Sequence, residues 1–218
     1  MAKTAEIFVC QSCGAAHGKW SGRCSACGEW NSISEEAARE APPKGLESTG
    51  RGRTRGRVLD FRKLNQHGEM EGPRTVSGLG EFDRVCGGGL VPGSAILIGG
   101  DPGIGKSTIL LQVVARLAQQ GVACAYISGE EAPAQVRMRA RRLGLEGAPL
   151  DLAAATSVRD IVATMDSPDS PKVVVIDSIQ TMYVDSIESA PGTVSQVRTS
   201  AQELIRAAKR KEICLLLV

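Results

Sequence analysis

At 218 residues, with 42% hydrophobic and 23% charged side chains, the chain has the composition of a globular protein with room for one good core plus a small satellite module. A net charge of +2 does not by itself call for nucleic acid, so any basic surface must be local, and aromatics at 3% exclude a broad base-stacking platform. No apolar run approaches transmembrane length and the N-terminus lacks a signal-peptide core, which sets the expectation of a cytoplasmic protein without a membrane partner, its seven cysteines reduced.

Four of those cysteines open the chain as two C-x-x-C knuckles, Cys10 with Cys13 and Cys24 with Cys27, ten residues apart. Two such knuckles in a short stretch can set four thiolates around one tetrahedral Zn2+. Each is followed by a glycine, Gly14 or Gly28, which permits the tight turn that faces both sulfurs to the metal. So small a module needs its metal to fold, so the ion is first structural, and Trp20 and Trp30 are expected to cover it. Disulfides, a redox pair and a rubredoxin-like iron site are the competing readings. His17 breaks the ligand spacing and reads as a loop residue. The other cysteines, Cys86, Cys124 and Cys214, sit among apolar or glycine neighbours and read as buried filler.

We expect this zinc-ribbon module over residues 1–33 and a flexible linker over 34–74. The linker composition shifts to Glu, Ala, Pro, Gly and Arg, and Arg51, Arg53, Arg55 and Arg57 alternate along it. That arginine run could clamp nucleic-acid phosphates or simply be solvated. A second module is expected over 75–218, entered through Ser77, Gly78 and Asp83 and a sharp turn at Gly87, Gly88 and Gly89.

Its pivotal stretch is Gly100, Asp101, Pro102, Gly103, Ile104, Gly105, Lys106 and Ser107, followed by Thr108, which matches G-x-x-x-x-G-K-[ST] at every fixed position. Residues 95–98 form an apolar run of strand length before it. After it Ile109, Leu110, Val113, Val114 and Leu117 recur at helical spacing until Gly121. Glycines let backbone N–H groups converge on one point, a nest for phosphate at the positive end of a helix. In such a loop Lys106 reaches the β- and γ-phosphates, the Ser107 hydroxyl is a Mg2+ ligand and Thr108 adds an α-phosphate contact. A glycine-rich turn that merely joins strand to helix is the alternative; the flanks favour a nucleoside triphosphate site.

Downstream, residues 122–127 read as a strand ending at Ser128, Gly129, Glu130 and Glu131, and a helix from about Pro133 carries Arg137, Arg139, Arg141 and Arg142. A short strand at 150–153 follows, then a helix opened by Ser157 and Asp160, a buried strand at 172–177, and a long helix capped by Thr193 and Gln196. Residues 213–218 are a last buried strand, and the chain stops inside it, which reads as the front portion of a longer protein. Apolar strands alternating with helices predict an α/β fold, a mostly parallel sheet covered on both faces.

In such sheets ligands collect at the carboxyl ends of the strands. Asp177 closes a run of four apolar residues and fits the Walker B position, where it would hold Mg2+ through water, with Ser178 in support. Glu130, ending the neighbouring strand, suits the base that orients or deprotonates the attacking water, with Glu131 as the alternative one residue on.

Together the cysteine ribbon, the lead-in at 78–93, the loop at 100–108, residues 128–131 and the stretch from Val173 to Ser178 with Gln180, Thr181 and Met182 resemble the bacterial RadA (Sms) DNA repair family. These proteins are relatives of the RecA recombinase and of replicative hexameric helicases. The resemblance covers nearly the whole chain, and the pairing of a four-cysteine ribbon with a RecA-like P-loop core is specific. It implies a DNA-dependent ATP hydrolase with Zn2+ in the ribbon, forming a hexameric ring on single-stranded or branched DNA and driving branch migration alongside RecA. By resemblance Glu130 and Lys106 are catalytic, and 186–198 matches the region where RecA-like proteins place a DNA-binding loop, its composition suiting a mobile one. The family continues beyond this point with a sensor segment, a Lys-Asn-Arg-Phe-Gly motif and a Lon-protease-like domain. Nucleotide binding is therefore expected of this stretch before DNA-coupled turnover. A P-loop ATPase acting on a protein partner, with the ribbon as docking module, is the runner-up; a small-molecule kinase is third, disfavoured because no arginine-bearing lid is seen.

Overall fold

The computed structural model describes residues 7–10, 16–36, 61 and 73–218, and the chain divides into two compact units, residues 1–71 and 72–218. Cys13, Gly14, the arginine run at 51–57 and most of the expected linker lie outside the described residues.

In the first unit β1 (Ile7–Cys10) pairs antiparallel with β2 (Ala16–His17) on one side and β3 (Ile33–Glu36) on the other. Among its described residues Cys10, Cys24 and Ile33 are buried, and Phe8 packs against them. The tryptophans do not cover it. Trp20 and Trp30 are 59% and 67% exposed; Trp20 donates its indole N–H to the Ile33 carbonyl, and the Arg23 guanidinium lies over the Trp30 ring. His17 belongs to a strand rather than a loop.

The second unit runs α1 (Gly80–Val85), β4 (Ala95–Leu97), α2 (Lys106–Gln119), β5 (Cys124–Ser128), α3 (Pro133–Arg142), β6 (Asp151–Ala154), α4 (Val158–Asp166), β7 (Val173–Asp177), a 3-10 turn (Ile179–Thr181), α5 (Val194–Lys211) and β8 (Cys214–Leu217). The five strands form one parallel sheet in the order β4-β8-β7-β5-β6. β7 and β8 lie centrally, and every residue of β8 is buried, as an apolar run needs when both faces are covered. One face packs Leu110, Val114, Tyr126, Val175 and Leu216 beneath α2; the other packs Ile161, Val174, Leu204 and Leu215 beneath α4 and α5. At the entrance, buried Asp83 accepts hydrogen bonds from the Ser77 N–H and hydroxyl and the Gly78 N–H, which folds the lead-in onto α1.

The expected caps form at Ser157, which accepts from the Asp160 N–H, and at Thr193, which accepts from the Gln196 N–H. The Gln196 side chain does not complete a reciprocal cap. It is buried, donating to the carbonyls of Val184, Ile187 and Ser189 and accepting from the Val184 N–H. The segment 186–198 is accordingly only half a loop: α5 begins at Val194, and Gln196 ties down the stretch before it. Cys124 and Cys214 are buried filler as expected, burial pushing the Cys124 thiol up to about 12, whereas Cys86 is half-buried at the end of α1.

Candidate functional site

The loop at 100–108 joins β4 to the first turn of α2. Gly103 and Gly105 take φ of 80° and 99°, values that side-chain-bearing residues rarely adopt, and Gly105 is the residue from which α2 starts. Lys106 turns its ammonium back over the loop, donating to the carbonyls of Gly100 at 2.8 Å and Asp101 at 2.9 Å. Asp101, Pro102, Gly103 and Ile104 are exposed, with Thr108 half-buried one turn into the helix.

Asp177 reaches this loop across the sheet. The register pairs it with Ser128 at the ends of β7 and β5, on the face that packs under α2. The Ser107 hydroxyl donates to Asp177 Oδ1 at 3.1 Å. Placed together in this way, the two groups would hold Mg2+, the hydroxyl directly and the carboxylate through water. The other carboxylate oxygen accepts from the hydroxyl of Tyr126, a fully buried residue whose acidity is suppressed by burial and then by Asp177 itself.

The two adjacent glutamates part company. Glu130 is exposed and takes the Ser178 hydroxyl on Oε1 at 3.0 Å, beside Asp177. Glu131 is drawn to α3, where Arg139 donates to its Oε2 at 2.8 Å. Gly129 is the hinge of this arrangement: a Cβ there would lie 1.9 Å from the Thr181 hydroxyl, so only glycine lets β5 end against the turn after β7. The sequence patterns single out neither Tyr126 nor the inward role of Arg139. The one available signal is a tyrosine in an otherwise apolar strand, whose hydroxyl must find a partner when buried.

In the first unit the Sγ atoms of Cys10, Cys24 and Cys27 lie within 4.8 Å of one another. Cys10 and Cys27 are 3.7 Å apart, matching the roughly 3.8 Å edge of a ZnS4 tetrahedron with 2.3 Å bonds. Backbone N–H donation from Cys27, with smaller contributions from Ala26 and His17, pulls the Cys24 thiol down to about 5, towards the thiolate that binds metal. The Gly28 N–H donates to the Cys24 carbonyl, closing the second knuckle. His17 lies closer to the site than its spacing suggests: its Nε2 is 3.4 Å from Cys24 Sγ, a neighbour to the ligand set. Cys13, the fourth expected ligand, lies outside the described residues.

Comparisons with known proteins match a different family in each unit. Residues 75–170 match the family described as KaiC ATPase, and residues 8–35 match a zinc-ribbon family described as a rubredoxin metal binding domain. The chain is 51% identical to the DNA repair protein RadA of Brucella abortus (strain 2308), 47% to that of Pseudomonas aeruginosa and 45% to that of Bacillus subtilis (strain 168). Each comparison covers 100% of this chain and 47% of the relative, so the chain spans about half the length of the curated relatives it matches. Its ATPase core takes ATP with Mg2+ and its ribbon takes Zn2+. Over the length it spans, the chain belongs to the bacterial RadA (Sms) DNA repair protein family.

Proposed function

We propose that this chain binds ATP with Mg2+ through the loop at 100–108 and Asp177, and that it serves a DNA-dependent ATP hydrolase acting on single-stranded or branched DNA during repair. The observation that supports it most is the Ser107 hydroxyl resting on the Asp177 carboxylate at the mouth of the glycine loop. Ser107 and, through water, Asp177 would hold Mg2+, which when bound would supply charge neutralisation at the phosphates. Lys106, released from the Gly100 and Asp101 carbonyls, binds the β- and γ-phosphates, the loop amides and Thr108 take the remaining phosphate oxygens, and Glu130 accepts the proton of the attacking water. Glu130 is preferred to Glu131 because its carboxylate accepts from Ser178, the residue after Asp177 in the chain, whereas Glu131 is engaged with Arg139.

The names of the relatives carry the DNA repair assignment. Branch migration, a hexameric ring, cooperation with RecA and a cytoplasmic location complete the proposal. Among the described residues no helix is long and apolar enough to cross a membrane. The test is titration of this chain with a fluorescent ATP analogue, then turnover by the full-length protein with and without single-stranded oligonucleotide. Lys106→Ala weakens ATP binding at least about tenfold by removing a charged donor to phosphate. Glu130→Gln keeps affinity and lowers turnover by roughly two orders of magnitude or more, with Glu131→Gln affected far less. Unchanged ATP affinity in Lys106→Ala overturns the nucleotide site. Turnover indifferent to DNA assigns the core to a protein partner instead, with the ribbon as its docking module.

A further inference from the structure

Asp177 has a second set of neighbours on the side away from Ser107. Tyr126 donates to Asp177 Oδ2 while its own oxygen accepts from Arg139 Nη2 at 3.3 Å. The same guanidinium binds Glu131 Oε2 at 2.8 Å and stands 4.0 Å from Asp177 Oδ2. Arg139 and Asp177 side chains are only 15% and 13% exposed, so little water intervenes between them. Arg139 Nε is buried without a hydrogen-bond partner, which leaves the guanidinium with a donor in want of an acceptor.

We propose that Tyr126 and Arg139 are positioning residues for the Mg2+-binding carboxylate, with Tyr126 standing as a spacer that keeps Asp177 turned to Ser107 and out of the grasp of Arg139. Arg139 donates to the phenol oxygen, which directs the phenol proton to Oδ2; Oδ2 is thereby fixed, and Oδ1 is left facing the Ser107 hydroxyl. Glu131 holds the guanidinium on its own side. Without the phenol, a cation 4.0 Å away with an unused donor would take the carboxylate in a two-pronged ion pair, turning it from Ser107 and neutralising the charge that Mg2+ requires. Partners of this kind that orient a metal-binding carboxylate commonly govern metal affinity about as much as the ligand's own setting. A tyrosine present only to fill the core would leave Mg2+ affinity indifferent to its hydroxyl.

The inference rests on the reading of Asp177 as the Mg2+ carboxylate, and one experiment separates the two. The purified chain is titrated with a fluorescent ATP analogue in EDTA and at graded Mg2+, as wild type, Asp177→Asn, Tyr126→Phe, Arg139→Gln and the Tyr126→Phe/Arg139→Gln double variant. Tyr126→Phe leaves affinity in EDTA within about twofold and raises the Mg2+ needed for half-maximal enhancement roughly tenfold. The double variant returns to near the level of Arg139→Gln alone, about threefold above wild type, because the competing cation is gone. A Tyr126→Phe midpoint equal to wild type, with Asp177→Asn insensitive to Mg2+, overturns the spacer. An Asp177→Asn protein with wild-type Mg2+ dependence overturns the Mg2+ reading itself. Should Tyr126→Phe fail to fold by circular dichroism, Arg139→Gln carries the decision: an unshifted midpoint there overturns the proposal.

Discussion

The two units of the chain close their interiors by opposite means. Among its described residues the ribbon buries Cys10, Cys24 and Ile33 with Phe8 alongside, two of them thiols that could hold a metal ion. The second unit buries two continuous apolar layers on the two faces of one sheet. The few buried residues described in the ribbon would not by themselves offset the conformational entropy of the strands around them, and a bound ion adds what they lack, whereas the sheet combines its paired strands with extensive burial. The lesson is that one chain carries two stabilities that respond to different reagents.

Metal removal makes the largest break between them. Structural zinc sites carry an apparent binding free energy of about 10 kcal/mol or more, so chelation unfolds the ribbon outright. The chain has two tryptophans, Trp20 and Trp30, both in that unit, so indole emission reports the ribbon alone. On chelation the emission changes while nucleotide binding stays at its wild-type value; Cys24→Ser does the same without chelator. Emission indifferent to chelation would show that the ribbon stands without metal. Acid acts in the same direction. Cys24 is held near 5 against an ordinary value near 9, so what its ionisation adds is present above the ordinary value and declines as pH falls to about 5. Bound Zn2+ competes with the proton for the thiolate, so zinc retention, read by a colorimetric chelator, persists below that value and is lost on further acidification, with the core unaffected.

The reciprocal break is a cavity in the sheet. Leu216 is fully buried in β8, one of the two inner strands beside β7. Leu216→Ala costs about 2–5 kcal/mol by lost transfer energy and residual void. Thermal unfolding followed by circular dichroism shifts down accordingly, while zinc retention and tryptophan emission hold. A variant in which both units weaken together would mean that they fold as one.

This division also explains what is legible in the sequence. Apolar runs and periodic helices mark the five strands and the helices α2 to α5 of the second unit to within a residue or two, most plainly where a run is buried on both faces, as in β7 and β8; the short helix α1 is not marked, and the edge strands β4 and β6 keep exposed residues. Strand order is not marked: β8, last in the chain, inserts between β4 and β7, and no local pattern records a pairing between residues so far apart. The loop at 100–108 is legible because its spacing is itself the cradle, and Asp177 because a charge closes a buried run. Glu130 and Glu131 are not separable from sequence, since only the place of Arg139 on α3 distinguishes them. Tyr126 escapes for the same reason; its partner becomes visible only once β5 is laid beside β7. In the ribbon the thiolate spacing is legible, while exposure is not: Trp20 and Trp30 lie largely outside, which their apolar character alone does not reveal.

The smallest effect sharpens the comparison at the start of α5. Thr193 accepts the Gln196 N–H there, and Thr193→Ala costs about 1 kcal/mol, the usual value of a lost N-cap. In a unit of this size that lowers the midpoint by roughly 2–4 °C. Gln196→Ala costs more, because three carbonyls lose a donor and the Val184 N–H loses its acceptor inside a buried site. Because the sheet layers are continuous, both losses should appear as a shift of one cooperative transition rather than as local fraying of α5. Circular dichroism and hydrogen exchange at 194–200 check this: exchange that rises only in that segment, with the midpoint unmoved, would place the start of α5 outside the cooperative core. Among the described residues of the ribbon only Cys10, Cys24 and Ile33 are buried, so the loss of one contact at the metal meets no comparable layer there.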